Sequence, residues 1–132
     1  MFDRLEIKVL PQGPRFSAQV RFWVDGEDVV QGAVGDGGRG PFAVDTLPAG
    51  CPSPLRAAAA ARRVELGEPE CTGGCCGNLF VVVQRIGGIV QWSDWQAPST
   101  GTRPPEFHFD ADQYDSELAR AEADRSWESR RK

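Results

Sequence analysis

Three cysteines lie within six positions of the chain, at Cys71, Cys75 and Cys76, in a segment that also contains three glycines. Zinc is held by four nitrogen or sulfur ligands in tetrahedral geometry, and glycine allows a short loop to fold back so that several thiolates face one ion. The sequence therefore suggests a zinc site. Its fourth ligand would come from the sole histidine, His108, or from Cys51, while Glu70 and Asp94 are poorer choices.

The same cysteine segment has two other interpretations. A thiol-redox role needs an accessible thiolate beside a resolving thiol, and Cys71 lies close enough in sequence to Cys75 or Cys76. The third interpretation is structural, because cysteine packs well as a small apolar side chain before a buried strand. The spacing favours this third interpretation, since zinc knuckles have two separate pairs of thiols and only one such pair is present here.

Tryptophan is the other residue type with functional meaning, because it is over-represented among the residues that anchor protein interfaces. Trp23 alternates with the apolar residues of a strand, Trp95 follows Trp92 by three positions, and Trp127 falls opposite the apolar stripe of the last helix. Each is therefore expected to face outward. We predict a partner-binding surface at Trp23, Trp95 and Trp127, for another protein or for a second copy in a homodimer.

Two further motifs are expected to be structural. Gly35, Gly37 and Gly40 form a G-x-G-x-x-G pattern, but Pro41 and the extended-looking residues after it do not open the helix that a dinucleotide site requires. This predicts a flexible loop. The acidic residues around 110–117 are explained by the helix macrodipole, which favours carboxylates at a helix N-terminus.

Two hairpins must position these residues. Apolar residues alternate over 16–24, and Asp25-Gly26 then forms a two-residue turn that pairs Val24 with Glu27 and Phe22 with Val29. A first strand precedes it, with apolar residues at Leu5, Ile7 and Val9.

The second hairpin joins 79–86 to 89–95 through Gly87-Gly88. The predicted register pairs Ile86 with Ile89, Val83 with Trp92 and Phe80 with Trp95. The face with Val81, Val83, Val90 and Trp92 is the core face, because the other face also carries Gln84, Gln91 and Ser93.

The remaining elements follow from capping and propensity. Five alanines after Ser53-Pro54 predict a short helix over Leu55 to Arg63, with Ser53 as N-cap. Residues 31–54 are rich in glycine and proline and predict an irregular connection. Phe107 to Phe109 predict a short strand, and Asp110 caps a last helix whose apolar stripe contains Tyr114, Leu118 and Ala121.

These elements predict a single α+β domain over residues 1–125, with 126–132 as a frayed C-terminal tail. Its antiparallel sheet has about five or six strands from two hairpins and edge segments. The Ala-rich helix and the C-terminal helix cover one face of that sheet.

Charge excludes several function classes. The 132 residues carry 15 Lys plus Arg and 19 Asp plus Glu, and the formal charge of −4 argues against nucleic-acid binding, which depends on clustered cations. The first residues are charged where a signal peptide needs an apolar run, and no stretch approaches 18 apolar residues. We expect a cytoplasmic protein without a membrane partner.

The blocks 71–77, 90–95 and 107–114, in this order, resemble small hypothetical proteins of high-GC soil bacteria of the Streptomyces type. The resemblance covers roughly residues 64 to 124 and implies no activity, cofactor or site residue. No convergent acid, base and nucleophile set indicates an enzyme. The sequence therefore favours a non-enzymatic protein-interaction or binding module, the alternative being a zinc-binding or thiol-redox-responsive protein that uses the cysteine segment.

Overall fold

The structure is a computed structural model that describes residues 2–35, 37–70, 77–98 and 102–128. Over these ranges the chain forms strands and helices in the order β1 (Leu5–Leu10), β2 (Gln19–Val24), β3 (Glu27–Asp28), α1 (Val29–Val34), α2 (Ala43–Thr46), β4 (Arg62–Gly67), β5 (Leu79–Ile86), β6 (Ile89–Gln96), β7 (Phe107–Asp110) and α3 (Ala111–Ala123). Mixed α and β structure is confirmed. None of the described helices is long and apolar enough to cross a membrane.

The strands form two antiparallel sheets, so the prediction of one sheet of five or six strands is wrong. One sheet has the order β1-β2-β3 and the other the order β4-β5-β6-β7. The separation arises because α1 begins directly after the two residues of β3, which leaves no strand to continue the first sheet. The two sheets meet in the core instead, where the Phe22 ring lies edge-on to Trp92 at 5.8 Å between centroids.

The first hairpin is confirmed in its turn and first pair. Asp25 and Gly26 have positive φ angles of 53° and 87°, as a tight hairpin turn requires, and Val24 pairs with Glu27. The predicted pairing of Phe22 with Val29 is wrong. The Asp28 carboxylate accepts hydrogen bonds from the first backbone N–H groups of α1, so the chain turns into a helix at Val29.

The second hairpin is confirmed at its closed end, where Ile86 pairs with Ile89 and Val83 with Trp92. The predicted core face is buried. Phe80, however, pairs with Gln96 and not with Trp95, because a β-bulge shifts the register between Phe80 and Val82.

The predicted Ala-rich helix does not form. Ser53 Oγ accepts the Leu55 N–H at 3.1 Å and donates to the Thr46 carbonyl at 2.6 Å, which closes a turn. The alanines that follow are not helical, and the chain enters β4 at Arg62. A helix this short is marginally stable by itself. The Ala58 carbonyl instead accepts a hydrogen bond from the Arg85 N–H of β5, at 2.8 Å.

The glycine-rich connection is less irregular than predicted, because it contains most of α1 and all of α2. The last helix is confirmed. Asp110 caps α3 by accepting the Gln113 N–H at 3.1 Å, and Tyr114, Leu118 and Ala121 are buried against the sheets. Of the predicted frayed tail, residues 126–128 continue past α3 in a turn, and 129–132 lie outside the described residues.

Candidate interaction surface

Of the predicted zinc ligands, the structure describes His108 and the alternative fourth ligands Cys51, Glu70 and Asp94. The His108 Nε2 lies 2.7 Å from Oε2 of Glu106, the residue just before β7. Cys71, Cys75 and Cys76 lie outside the described residues. Within the described ranges, no group of three or more His, Cys, Asp and Glu side chains is placed to hold a metal ion. The zinc and thiol-redox interpretations therefore stay predictions.

The sheet register separates His108 from the strand that follows the cysteine segment. His108 pairs with Gln91, which pairs with Gln84 in β5. Leu79, the first residue of β5, is five residues away from Gln84, or roughly 16 Å along a strand. The histidine thus lies toward the end of the sheet opposite to the start of β5.

Trp95 does not face outward, so this part of the surface prediction is wrong. Its side chain is only 5% exposed, and its Nε1 donates to the Pro105 carbonyl at 2.8 Å. The cause is the β-bulge, where Asp94 has a positive φ of 51°. One extra residue there returns Trp95 to the same face as Trp92, and the two rings pack edge-on at 6.0 Å.

Trp23 and Trp127 are each half-buried and covered by a cation of the same chain. Lys8 Nζ lies 4.4 Å from the Trp23 ring, and the Arg125 guanidinium lies 4.7 Å from the Trp127 ring. Trp127 packs against the core because α3 ends at Ala123 and the chain turns back. Its predicted position away from the core is wrong, while a partner-binding role for Trp23 and Trp127 stays a prediction.

A different candidate surface lies on the four-stranded sheet. We call it the outer face: the side of the four-stranded sheet that points away from the three-stranded sheet. Side chains alternate along β5, so that Leu79, Val81 and Val83 are buried while the residues between them are partly exposed. The last helix packs on the opposite, inner side, where Tyr114 contacts Trp92 and Phe109. The central members of the outer face are Phe80, Val82, Gln84, Ile86, Ile89, Gln91 and Ser93.

The centre of the outer face is uncharged and its two edges are charged. The inner strands β5 and β6 present apolar, amide and hydroxyl side chains there, and Gln91 Nε2 donates to Ser93 Oγ at 3.3 Å. Arg63 and Glu65 lie on β4 at one edge, from which the Arg63 guanidinium reaches over the Phe80 ring at 4.1 Å and donates to Gln96. Glu106 and His108 lie at the other edge. Depletion of charge at the centre with a polar rim is the composition that distinguishes the core of a protein interface.

The alanine segment widens this surface. Residues 58–61 are exposed, and the Ala59 carbonyl accepts the Gln84 amide at 2.8 Å. Ile86 is also 51% exposed. A contiguous apolar patch on a monomer marks an interaction site more often than scattered apolar residues do. Sequence reasoning missed the contribution of the alanines because it placed them in a helix.

The free edge of β1 is closed by α3. The Gln113 side chain accepts the Leu5 N–H at 3.0 Å and donates to the Leu5 carbonyl at 2.8 Å. Glu117 accepts the Ile7 N–H at 2.7 Å, and Arg120 donates to the Ile7 carbonyl at 2.6 Å. These side chains occupy the groups that an added strand would need, which is how proteins protect sheet edges from unwanted pairing.

The Glu117 contact predicts a pH-dependent stability. Burial raises the pKa of the Glu117 carboxyl, but hydrogen bonds from Arg120 and the Ile7 N–H, with the charges of Arg120 and Arg4, lower it overall below its ordinary 4.5. The ionised form therefore stabilises the fold above that pH, and this stability is lost as the pH falls through the lowered value. Because the Arg120 side chain of this ion pair is 52% exposed and solvent screens its charge, we expect the effect to be about 1 kcal/mol.

Urea unfolding of the wild type and Glu117→Gln at pH 7 and at pH 3 measures this effect. The wild type is expected to be more stable than the variant at pH 7, and this difference in unfolding free energy is expected to be smaller at pH 3. An equal gap at both pH values would contradict the prediction.

The groove beside this edge encloses about 730 Å³ between β1 and α3. Two of its charged lining residues, Glu117 and Arg120, bind each other at 2.7 Å and the backbone of Ile7. These groups are engaged in holding the fold together.

Comparison of the chain with protein-family models finds no match, and comparison with curated proteins and with solved structures finds none either.

Proposed function

We propose that the chain is a protein-interaction module without enzymatic activity, and that it binds its partner through the outer face. The observation that carries this proposal is an uncharged, partly apolar sheet face with charges only along its edges. Burial of such a face against another surface removes apolar area from water without stranding a charge in the centre.

Occupied backbone groups at two sheet edges, β1 and β7, favour binding of a partner by the outer face over addition of a strand there. Addition of a partner strand needs free backbone N–H and C=O groups, and α3 occupies those of Leu5 and Ile7 on β1. At β7, the Asp3 N–H donates to the His108 carbonyl at 2.8 Å.

The compartment that we propose is the cytoplasm. Cys51 is a free, exposed thiol, and exposed free thiols are characteristic of reducing compartments.

Photo-crosslinking in the cells that naturally produce the chain tests the proposal. A benzophenone amino acid in place of Val82 lies at the centre of the outer face. The same group in place of Glu6 is the control, because Glu6 is exposed on β1 between the buried Leu5 and Ile7 and so points away on the other sheet. We expect a discrete protein adduct from position 82 and none from position 6. No adduct at position 82, or equal adducts at both positions, would overturn the proposal.

A further inference from the structure

We infer that the partner on the outer face is a second copy of this chain, in a two-fold dimer whose four-stranded sheets pack face to face. This inference rests on the proposed function. It follows from the order of residues across the sheet, which makes the outer face complementary to itself.

We call a set of neighbouring residues that crosses the four strands from β4 to β7 a row. One row of the outer face has a cation at its β4 end and an anion at its β7 end. Arg63 pairs with Val82, and Val82 pairs with Ser93. Trp92 pairs with Phe107, so the same antiparallel register, continued by one residue, places Glu106 beside Ser93. The Glu106 side chain is on the outer face because it contacts His108, whose neighbours Phe107 and Phe109 are buried on the inner side. The row therefore reads Arg63, Val82, Ser93 and Glu106.

A two-fold axis along the strands, midway between β5 and β6, preserves each row and reverses its direction. It places β4 of one copy over β7 of the other, and β5 over β6. Arg63 of each copy then faces Glu106 of the other, which gives two ion pairs per dimer. Such reciprocal contacts are the mark of an isologous interface.

The next rows are also matched under the same operation. Gln84 of one copy faces Gln91 of the other, so that side-chain amides meet amides. Ile86 faces Ile89 in the row beyond. Sheets that pack face to face keep their strands within about 30° of each other, so the rows stay in contact near the axis.

Charge complementarity selects a second copy over an unrelated protein. The chain carries a net charge of −4, which disfavours self-association in general. Within one chain, Arg63 donates to Gln96 and covers the Phe80 ring, and Glu106 contacts His108. When the outer face meets itself in this orientation, the cation on β4 and the anion before β7 also lie opposite each other. The pairs lie at the rim, where charges set orientation and exclude wrong partners.

The size of the face predicts a weak dimer. The four strands contain six, eight, eight and four residues, which at about 4.8 Å by 3.3 Å each cover roughly 400 Å² on each copy. A standard stable interface buries about 800 Å² on each partner. The dimer is therefore expected to form at high protein concentration and to dissociate on dilution.

Charge exchange between two variants tests the geometry. Arg63→Glu and Glu106→Arg each place like charges opposite one another in both pairs, and we expect each variant alone to dimerise at least tenfold more weakly than the wild type. In an equimolar mixture, Glu at 63 of one variant faces Arg at 106 of the other, and the unchanged Glu106 of the first faces the unchanged Arg63 of the second. Native mass spectrometry resolves the two chains by mass, and the heterodimer is expected to exceed the sum of both homodimers.

Arg62→Glu is the matched control. Arg62 is the neighbouring exposed arginine on β4 and has the same charge, but the alternation of the strand directs it away from the outer face. We expect its dimerisation to match that of the wild type. Val82→Lys places a charge at the centre of the face and is expected to abolish the dimer, with a melting temperature that shows the chain still folded.

Each outcome is decisive. A wild type that stays monomeric in sedimentation velocity up to several hundred micromolar would overturn the inference that the partner is a second copy. The same inference would be overturned if the two variants melt like the wild type but their mixture shows no excess of heterodimer. An adduct from position 82 to a different protein would then still support the proposed function. If no adduct of any kind forms at position 82, the proposed function fails as well.

Discussion

Gly40→Ala is expected to lower the free energy of unfolding by about 4 kcal/mol or more, the range reached only by severe packing faults. A Cβ atom at this position would lie 1.9 Å from the carbonyl oxygen of Val20. No rotamer relieves this contact, because both the added atom and the atom that it meets are fixed by the backbone.

The backbone around Gly40 has little freedom to move away. The Gly40 N–H donates to Gln19 Oε1 at 2.7 Å, and the Val20 N–H donates to the Pro41 carbonyl at 2.8 Å. On its other side, Arg39 exchanges two backbone hydrogen bonds of 2.9 Å with Glu68. The segment thus joins β2 of one sheet to the chain just after β4 of the other, so displacing it weakens the connection between the two sheets.

Gly32→Ala provides the control. Gly32 is exposed within α1, and a Cβ there would meet nothing within 4 Å. Alanine is favoured over glycine inside a helix by about 1 kcal/mol, so this variant is expected to be as stable as the wild type or more so. Urea unfolding of the two variants decides the matter, and a Gly40→Ala protein within 1 kcal/mol of the wild type would contradict the argument.

The structural requirement for glycine at position 40 could not be predicted from the sequence. The prediction of extended residues after Gly40 is wrong, because α2 begins at Ala43. The sequence predicted a flexible loop over Gly35, Gly37 and Gly40. The need for glycine at position 40 comes from a close approach to Val20, twenty residues earlier. A contact between segments so far apart leaves no mark in the local pattern.

Local elements were predictable where their cause is local. The two hairpins follow from alternation and turn residues, and the helix α3 follows from a cap and an apolar stripe. The prediction of a helix in the Ala-rich segment was wrong because helix propensity is a weak preference that tertiary hydrogen bonds override. The prediction that Trp95 faces outward was wrong because a single bulged residue inverts every side-chain direction that follows it.

The candidate surface was predictable only in part. Alternation along the second hairpin correctly placed Gln84, Gln91 and Ser93 on the face away from the core. The edges of that face depend on the registers of β4 and β7, which bring Arg63 and Glu106 into one row although they are 43 positions apart in the chain. No periodicity connects those residues.

Tyr114→Phe is expected to destabilise the fold by about 1–3 kcal/mol, although it removes one oxygen atom. Tyr114 is fully buried, and its hydroxyl donates to the Leu55 carbonyl at 2.6 Å and accepts the Trp92 Nε1–H at 3.3 Å. Phenylalanine keeps the ring and its packing on Trp92 and Phe109. The cost is therefore that of leaving a buried carbonyl and a buried N–H without partners, which is the desolvation penalty of those groups.

The pH dependence of this difference separates the hydroxyl from a packing effect. Burial, the largest cause, raises the pKa of the Tyr114 hydroxyl well above its ordinary 10.0. The unfolded chain then loses this proton at a lower pH than the folded chain, so the hydroxyl stabilises the fold below pH 10 and this stability falls as the pH rises further. Urea unfolding of both proteins at pH 7 and above pH 10 is expected to show a gap that narrows at the higher pH. A gap that stays constant would assign the loss to packing, because phenylalanine has no proton to lose.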